Sequence, residues 1–96
     1  MEQERLIFLG DSIVAAGRLS EECRDGMGFG FVAELSRRLP ESRFLLVNRG
    51  HDGFTVQGLL RMLAYDCLSR RPDVVSILIG SNDAAVQDRA FLLAMK

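Results

Sequence analysis

The sequence predicts a parallel α/β fold in which helices cover both faces of one open sheet. Three short apolar runs, Leu6-Ile7-Phe8-Leu9, Phe44-Leu45-Leu46-Val47 and Val74-Val75-Ser76-Ile77-Leu78-Ile79, have the length and composition of strands buried on both sides. Helical periodicity fills the intervals, and a strand-helix alternation of this kind is solved by parallel strands joined through right-handed crossovers. Each run also ends in small and polar residues: Gly10-Asp11-Ser12, Asn48-Arg49-Gly50-His51-Asp52-Gly53 and Gly80-Ser81-Asn82-Asp83. Strand C-termini form the edge of an open parallel sheet at which ligands bind. The expected strand order is 2-1-3, with the first strand in the middle.

Taken in order, the first strand leads into a loop of small and charged residues that ends at the glycines 26, 28 and 30. Phe31, Val32, Leu35 and Leu39 then make one apolar helical stripe, which Pro40 stops. After the second strand, Val56, Leu59, Leu60, Leu63, Ala64, Cys67 and Leu68 follow the i, i+3, i+4, i+7, i+8 rule, with Thr55 as N-cap and Gly58 weakening the helix slightly. Pro72 ends that run and opens the third strand, and from Ala84 the residues favour helix again. Arg37-Arg38 and Arg70-Arg71 each close a predicted helix, where a cation complements the C-terminal dipole. No repeat, linker or low-complexity segment interrupts the pattern.

Composition narrows the function classes. At 96 residues and 48% hydrophobic the chain is one domain, residues 1–96, of a size that buries about 60 to 65% of its unfolded surface. A formal net charge of -1 gives no general attraction to nucleic acid or anionic membranes. No apolar run approaches the roughly 18 residues of a membrane span, and the charged N-terminus (Glu2, Glu4, Arg5) has no secretory core behind it, so a cytoplasmic protein is expected. Cys23 and Cys67 form no disulfide framework, and Cys67 falls on an apolar helical face as a buried thiol. One histidine and no close cysteine pair argue against zinc, and no cofactor or metal is expected. Gly28-Phe29-Gly30-Phe31-Val32-Ala33 satisfies the G-x-G-x-x-A dinucleotide pattern, but it does not follow the first strand directly. The second strand moreover ends in Asn48, where an acid should bind ribose.

The three polar segments together resemble the SGNH hydrolases, also called GDSL-type lipases and esterases: Gly10-Asp11-Ser12 with Ile13 as the first block, Asn48 to Gly53 followed by Thr55 as the second, and Gly80-Ser81-Asn82-Asp83 as the third. The resemblance implies a flavodoxin-like three-layer α/β/α sandwich that hydrolyses acyl, acetyl or lipid esters, carbohydrate esters included. It implies Ser12 as nucleophile, with the Ser12 and Gly53 amides and the Asn82 side chain forming the oxyanion hole. Physical chemistry agrees: a serine on a sharp strand-to-helix turn is presented at the sheet edge, glycine lets an amide approach a tetrahedral intermediate, and an Asn amide donates without a charge to desolvate. The plainer readings are a helix-capping serine at Ser12 and a cap or turn residue at Asn82. Gly50 competes with Gly53 as the oxyanion glycine, and the spacing to Thr55 favours Gly53. Asp11 and Asp83 are assigned to organising their loops by local hydrogen bonds.

The family's last block, an Asp-x-x-His that supplies the general base and its orienting carboxylate, is absent: Asp88-Arg89-Ala90-Phe91 has the acid without the histidine. His51, the one histidine, is the substitute candidate, with only its neighbour Asp52 placed by sequence to orient it. The chain therefore reads as the N-terminal portion of such an enzyme. The alternatives are an inactive module that binds an acyl or carbohydrate group, and a self-associating fragment. A three-stranded parallel sheet leaves the third strand's outer edge open, which predicts a homodimer or cover by a C-terminal half.

Overall fold

The computed structural model describes residues 3–85. Strand β1 (Glu4–Gly10) is central in the order β2-β1-β3 and runs parallel to both β2 (Phe44–Gly50) and β3 (Val74–Leu78). The chain moves outward from β1 to β2 and then crosses back over β1 to β3. Right-handed crossovers in opposite directions put the connecting helices on opposite faces of the sheet. The alternation within β1 shows the result. Phe8 faces a cluster with Val14, Val32 and Leu46, flanked by Leu35 of α2 (Phe31–Arg38) and by Leu39, the residue that caps its C-terminus. Ile7 and Leu9 face Leu59 and Cys67 on the other side, with Val47, Phe54, Leu63 and Ile79 packed around them.

Two elements differ from the sequence expectation. A four-residue helix, α1 (Ser12–Ala15), opens the loop that follows β1; it is capped by Asp11, whose Oδ1 accepts from the Ile13 amide at 3.0 Å. The long helix expected from Val56 is divided into α3 (Val56–Arg61), α4 (Leu63–Asp66) and a 3-10 turn at Leu68–Arg70. The break falls at Met62, which leaves helical geometry at φ -100° and ψ 5°. Leu59 and Cys67 are buried and Leu63 is half-buried, whereas Val56, Leu60 and Leu68 of the same stripe face solvent. The Thr55 cap forms as expected, its Oγ1 accepting from the Gly58 amide.

Arg37 and Arg38 do sit in the last turn of α2, where both pair with Glu34. These hydrogen bonds hold the Glu34 carboxyl below its usual range. Residues 81–85 are already helical, so this segment starts earlier than Ala84; the remainder of the predicted last helix, Asp88 included, lies outside the described residues. Among the described residues no helix is long and apolar enough to cross a membrane.

Candidate active site

Register brings the three polar segments to one level. Gly10 is aligned with Gly50 on one side and with Leu78 on the other, so the loops after β1, β2 and β3 leave the sheet side by side. Side-chain hydrogen bonds then stitch the loops together. Ser81 Oγ donates to Asp11 Oδ2 at 2.9 Å, which brings the third segment against the first. Asn82 Nδ2 donates to the Phe54 carbonyl at 2.9 Å, and Asp83 accepts from the Val56 amide at 3.1 Å, which brings it against the second. Ser12 is thus the chain neighbour of one stitched residue, Gly53 of another, and Asn82 is itself a stitch.

The individual groups are available for the roles expected of them. Ser12 is the exposed first residue of α1, and among the described residues neither its hydroxyl nor its amide has a hydrogen-bond partner. Gly53 is exposed at φ 78°, a conformation that favours glycine, and its amide is equally unengaged among the described residues. Asn82 uses one amide hydrogen on Phe54, which fixes the orientation of the group, and its second hydrogen has no partner among the described residues. Gly50 differs: it is buried, its amide donates to Asn48 Oδ1 at 3.0 Å, and a Cβ there would lie 2.4 Å from the Ala15 nitrogen. Gly50 seats α1 against β2, and the open amide belongs to Gly53.

Asp11 and Asp83 organise loops, but by long-range bonds as well as local ones. Asp11 is fully buried and both of its oxygens are used, one on its own helix and one 70 residues away. Asn48 has a comparable part from β2. It is buried, and its Nδ2 donates to the carbonyls of Val14 (2.8 Å) and Met27 (2.9 Å), fastening α1 and the following loop to the strand.

His51 departs from expectation. Its partner is not Asp52, which is exposed, but Asp66 of α4: Nε2 lies 2.8 Å from Asp66 Oδ2, and the ring stacks on Phe54 at 4.3 Å between centroids. Asp66 is buried, and its other oxygen accepts from Arg49 Nε and Nη2 at 3.0 and 2.8 Å. Sequence reasoning overlooked this acid, although it leaves a signal: Asp66 is seven residues from Leu59 on the core-facing stripe, opposite an arginine in a buried strand. A charge on each of two apolar faces is the mark of an internal pair.

Residues 8–94 match the model of the GDSL-like Lipase/Acylhydrolase family. The chain belongs to that family. Over 87 residues, 83% of this chain and 40% of the relative, it is 39% identical to an acetylxylan esterase of Geobacillus stearothermophilus. The solved structure of Axe2, an acetylxylan esterase from the same organism, superposes with a TM-score of 0.78 at 37% identity, over 88% of this chain and 42% of that one. Catalytic mutants of Axe2 have also been solved in which a serine or an aspartate is replaced by alanine. LAE5, an α/β hydrolase from the metagenome of Lake Arreo, Spain, gives a TM-score of 0.80 at 36% identity, over 97% of this chain and 46% of that one. The chain spans about 40% of the length of the curated relative it matches.

Proposed function

We propose that this GDSL-family chain carries the nucleophile and the oxyanion-binding groups of a serine ester hydrolase acting on acyl or acetyl esters. The observation that supports this best is the stitching of the three loops, which groups Ser12, Gly53 and Asn82 at one sheet edge with a hydrogen on each donor that is unengaged among the described residues. In this reading Ser12 Oγ attacks the ester carbonyl carbon. The carbonyl oxygen gains negative charge and is received by the Ser12 amide, the Gly53 amide and the Asn82 Nδ2 hydrogen. Collapse of the tetrahedral intermediate breaks the bond to the alcohol oxygen, which leaves with a proton, and water then releases the acyl group from Ser12. The acetylxylan esterase relative favours an acetyl ester on a carbohydrate.

The base that takes the Ser12 proton is proposed to come from sequence outside these 96 residues, as the greater length of the relatives suggests. His51 is a poor substitute, since its Nε2 is committed to Asp66. Lacking the Asp-x-x-His block, the chain alone would bind an acyl group more readily than cleave it. The test uses p-nitrophenyl acetate with imidazole supplied as an external base. Acetyl-Ser12 should then be found by mass spectrometry ahead of any other acetylated hydroxyl. Asn82→Ala should slow its formation by about 10²-fold or more. Hydrolysis that survives Ser12→Ala would exclude Ser12 as nucleophile. Fast turnover without imidazole, abolished by Ser12→Ala, would place the base within the chain.

A further inference from the structure

A cleft of about 340 Å³ lies between the loop after α1 and the loop after β2, bounded by Gly17, Arg18, Ser20, His51, Asp52 and Phe54 among others. This volume is at the small end of ligand sites. Two of its walls, Asp52 and Phe54, are the chain neighbours of Gly53, so the cleft opens beside the proposed oxyanion hole.

Arg18 is the unusual group in this cleft. It is only 8% exposed, yet none of the ion pairs among the described residues includes it. Its Nε donates to the Gly50 carbonyl at 2.7 Å, and its two terminal amino groups have no hydrogen-bond partner among the described residues. Arg18 is among the residues that line the cleft, and neither amino group is among the fully buried unsatisfied atoms of the described residues. Burying a guanidinium without a counter-ion is expensive. Desolvation, followed by the positive charge of Arg49, lowers the Arg18 pKa from its ordinary value; the Asp66 and Asp52 charges oppose the shift and Arg70 adds to it.

The neighbouring acids Asp66 and Asp52 act on this charge from a distance, but neither forms an ion pair with it among the described residues. Asp66 is engaged by Arg49 and His51, and Asp52 stands exposed at the rim without an ion pair. A guanidinium held by Nε with both amino groups free presents the fork that binds a carboxylate through two parallel hydrogen bonds. Phe54, which stacks on His51, and Ala15 supply apolar walls.

We propose that this cleft is a carboxylate-binding subsite with Arg18 as its anchor, and that the ester handled beside it bears a carboxylate. The second part rests on the esterase reading, whereas the first does not depend on turnover. Succinate is the probe for the first part, titrated into the 96-residue chain and followed by NMR at the Arg18 Nε–H and the amides of Gly50, His51 and Asp52. Saturable shifts confined to these groups are expected, and the Ser12→Ala chain should give the same curve. Succinamide, of equal shape without charge, should bind at least about 10-fold more weakly, the difference expected of one charge-assisted pair. Arg18→Lys, which keeps the charge and loses the fork, should weaken succinate to a similar extent. Equal affinity for succinate and succinamide in the unmodified chain would overturn the proposal. So would shifts located elsewhere, or an Arg18→Lys chain that binds succinate undiminished. Loss of Ser12 acetylation with succinate binding intact would count against the esterase reading alone.

Discussion

Gly50 ends β2 and Gly53 lies in the loop that follows, and the two are glycine for different reasons. At Gly50 an added methyl group would meet the backbone of Ala15 at 2.4 Å, and backbone cannot turn aside as a flexible side chain can. Gly50→Ala should therefore displace α1 and cost at least the upper end of the roughly 1 to 3 kcal/mol typical of overpacking. At Gly53 nothing lies within 4 Å of an added Cβ, so Gly53→Ala carries only the left-handed backbone strain, about 1 to 2 kcal/mol. Urea denaturation of the two variants side by side measures the difference, and a larger loss at Gly53 would contradict this account. Cys67 permits a test by pH. Burial, with the Asp66 charge second, raises the thiol's pKa above its ordinary value. The unfolded chain ionises this thiol near pH ~8.5 while the folded chain resists. The stability linked to Cys67 is thus intact below that pH and is lost as pH rises towards the folded pKa. Denaturation curves at neutral and alkaline pH should show a smaller alkaline loss for Cys67→Ala than for the parent chain.

Among the elements, β1, β2 and β3 and their order were legible because continuous apolar runs ending in Gly and polar residues have few other readings. The four-residue α1 was not, since it is shorter than the period by which helices are recognised and is held by Asp11 and Asn48 rather than by its own sequence. The helix after β2 was legible as helix from Val56 to Leu68, but its interruption at Met62 was not. Ahead of that break the apolar residues alone make the stripe; beyond it Asp66 is turned under the end of β2, a contact no local pattern encodes. In the same way Ser12, Gly53 and Asn82 could be placed by motif, whereas the partner of His51 required the tertiary arrangement. The Asp66 junction should matter more than any cap. Asp66→Ala strands the largely buried Arg49 guanidinium and frees His51, a change expected to cost roughly 3 to 5 kcal/mol. Thr55→Ala should cost only about 1 kcal/mol. Thermal unfolding followed by circular dichroism ranks the two, and equal effects would deny Asp66 its role as the tie between α4 and β2.

For the whole molecule, the sheet is asymmetric. The β2 side is covered by two packed clusters, whereas on β3 Val74, Val75, Ile77 and Leu78 are between 38% and 57% exposed. A strand with apolar side chains open on both faces and an outer edge unpaired among the described residues is a template for another chain. Association that rises with concentration is therefore expected for the isolated chain, and light scattering across a dilution series should show it. Ile77→Lys should suppress this association, and a well-folded monomer at all concentrations in the parent would exclude it. This exposed strand also carries Gly80 to Asp83, and the bonds from Ser81, Asn82 and Asp83 are what draw the three loops together. A brief detachment of β3 would then dissolve the site while β1, β2 and α2 stayed folded. In amide exchange with deuterium, the protection of Ser76 and Leu78, whose amides face β1, should fall to the level of the Val56 amide and well below that of Phe8, whose amide faces β2, so that the population of assembled sites is set by how often the last strand is docked.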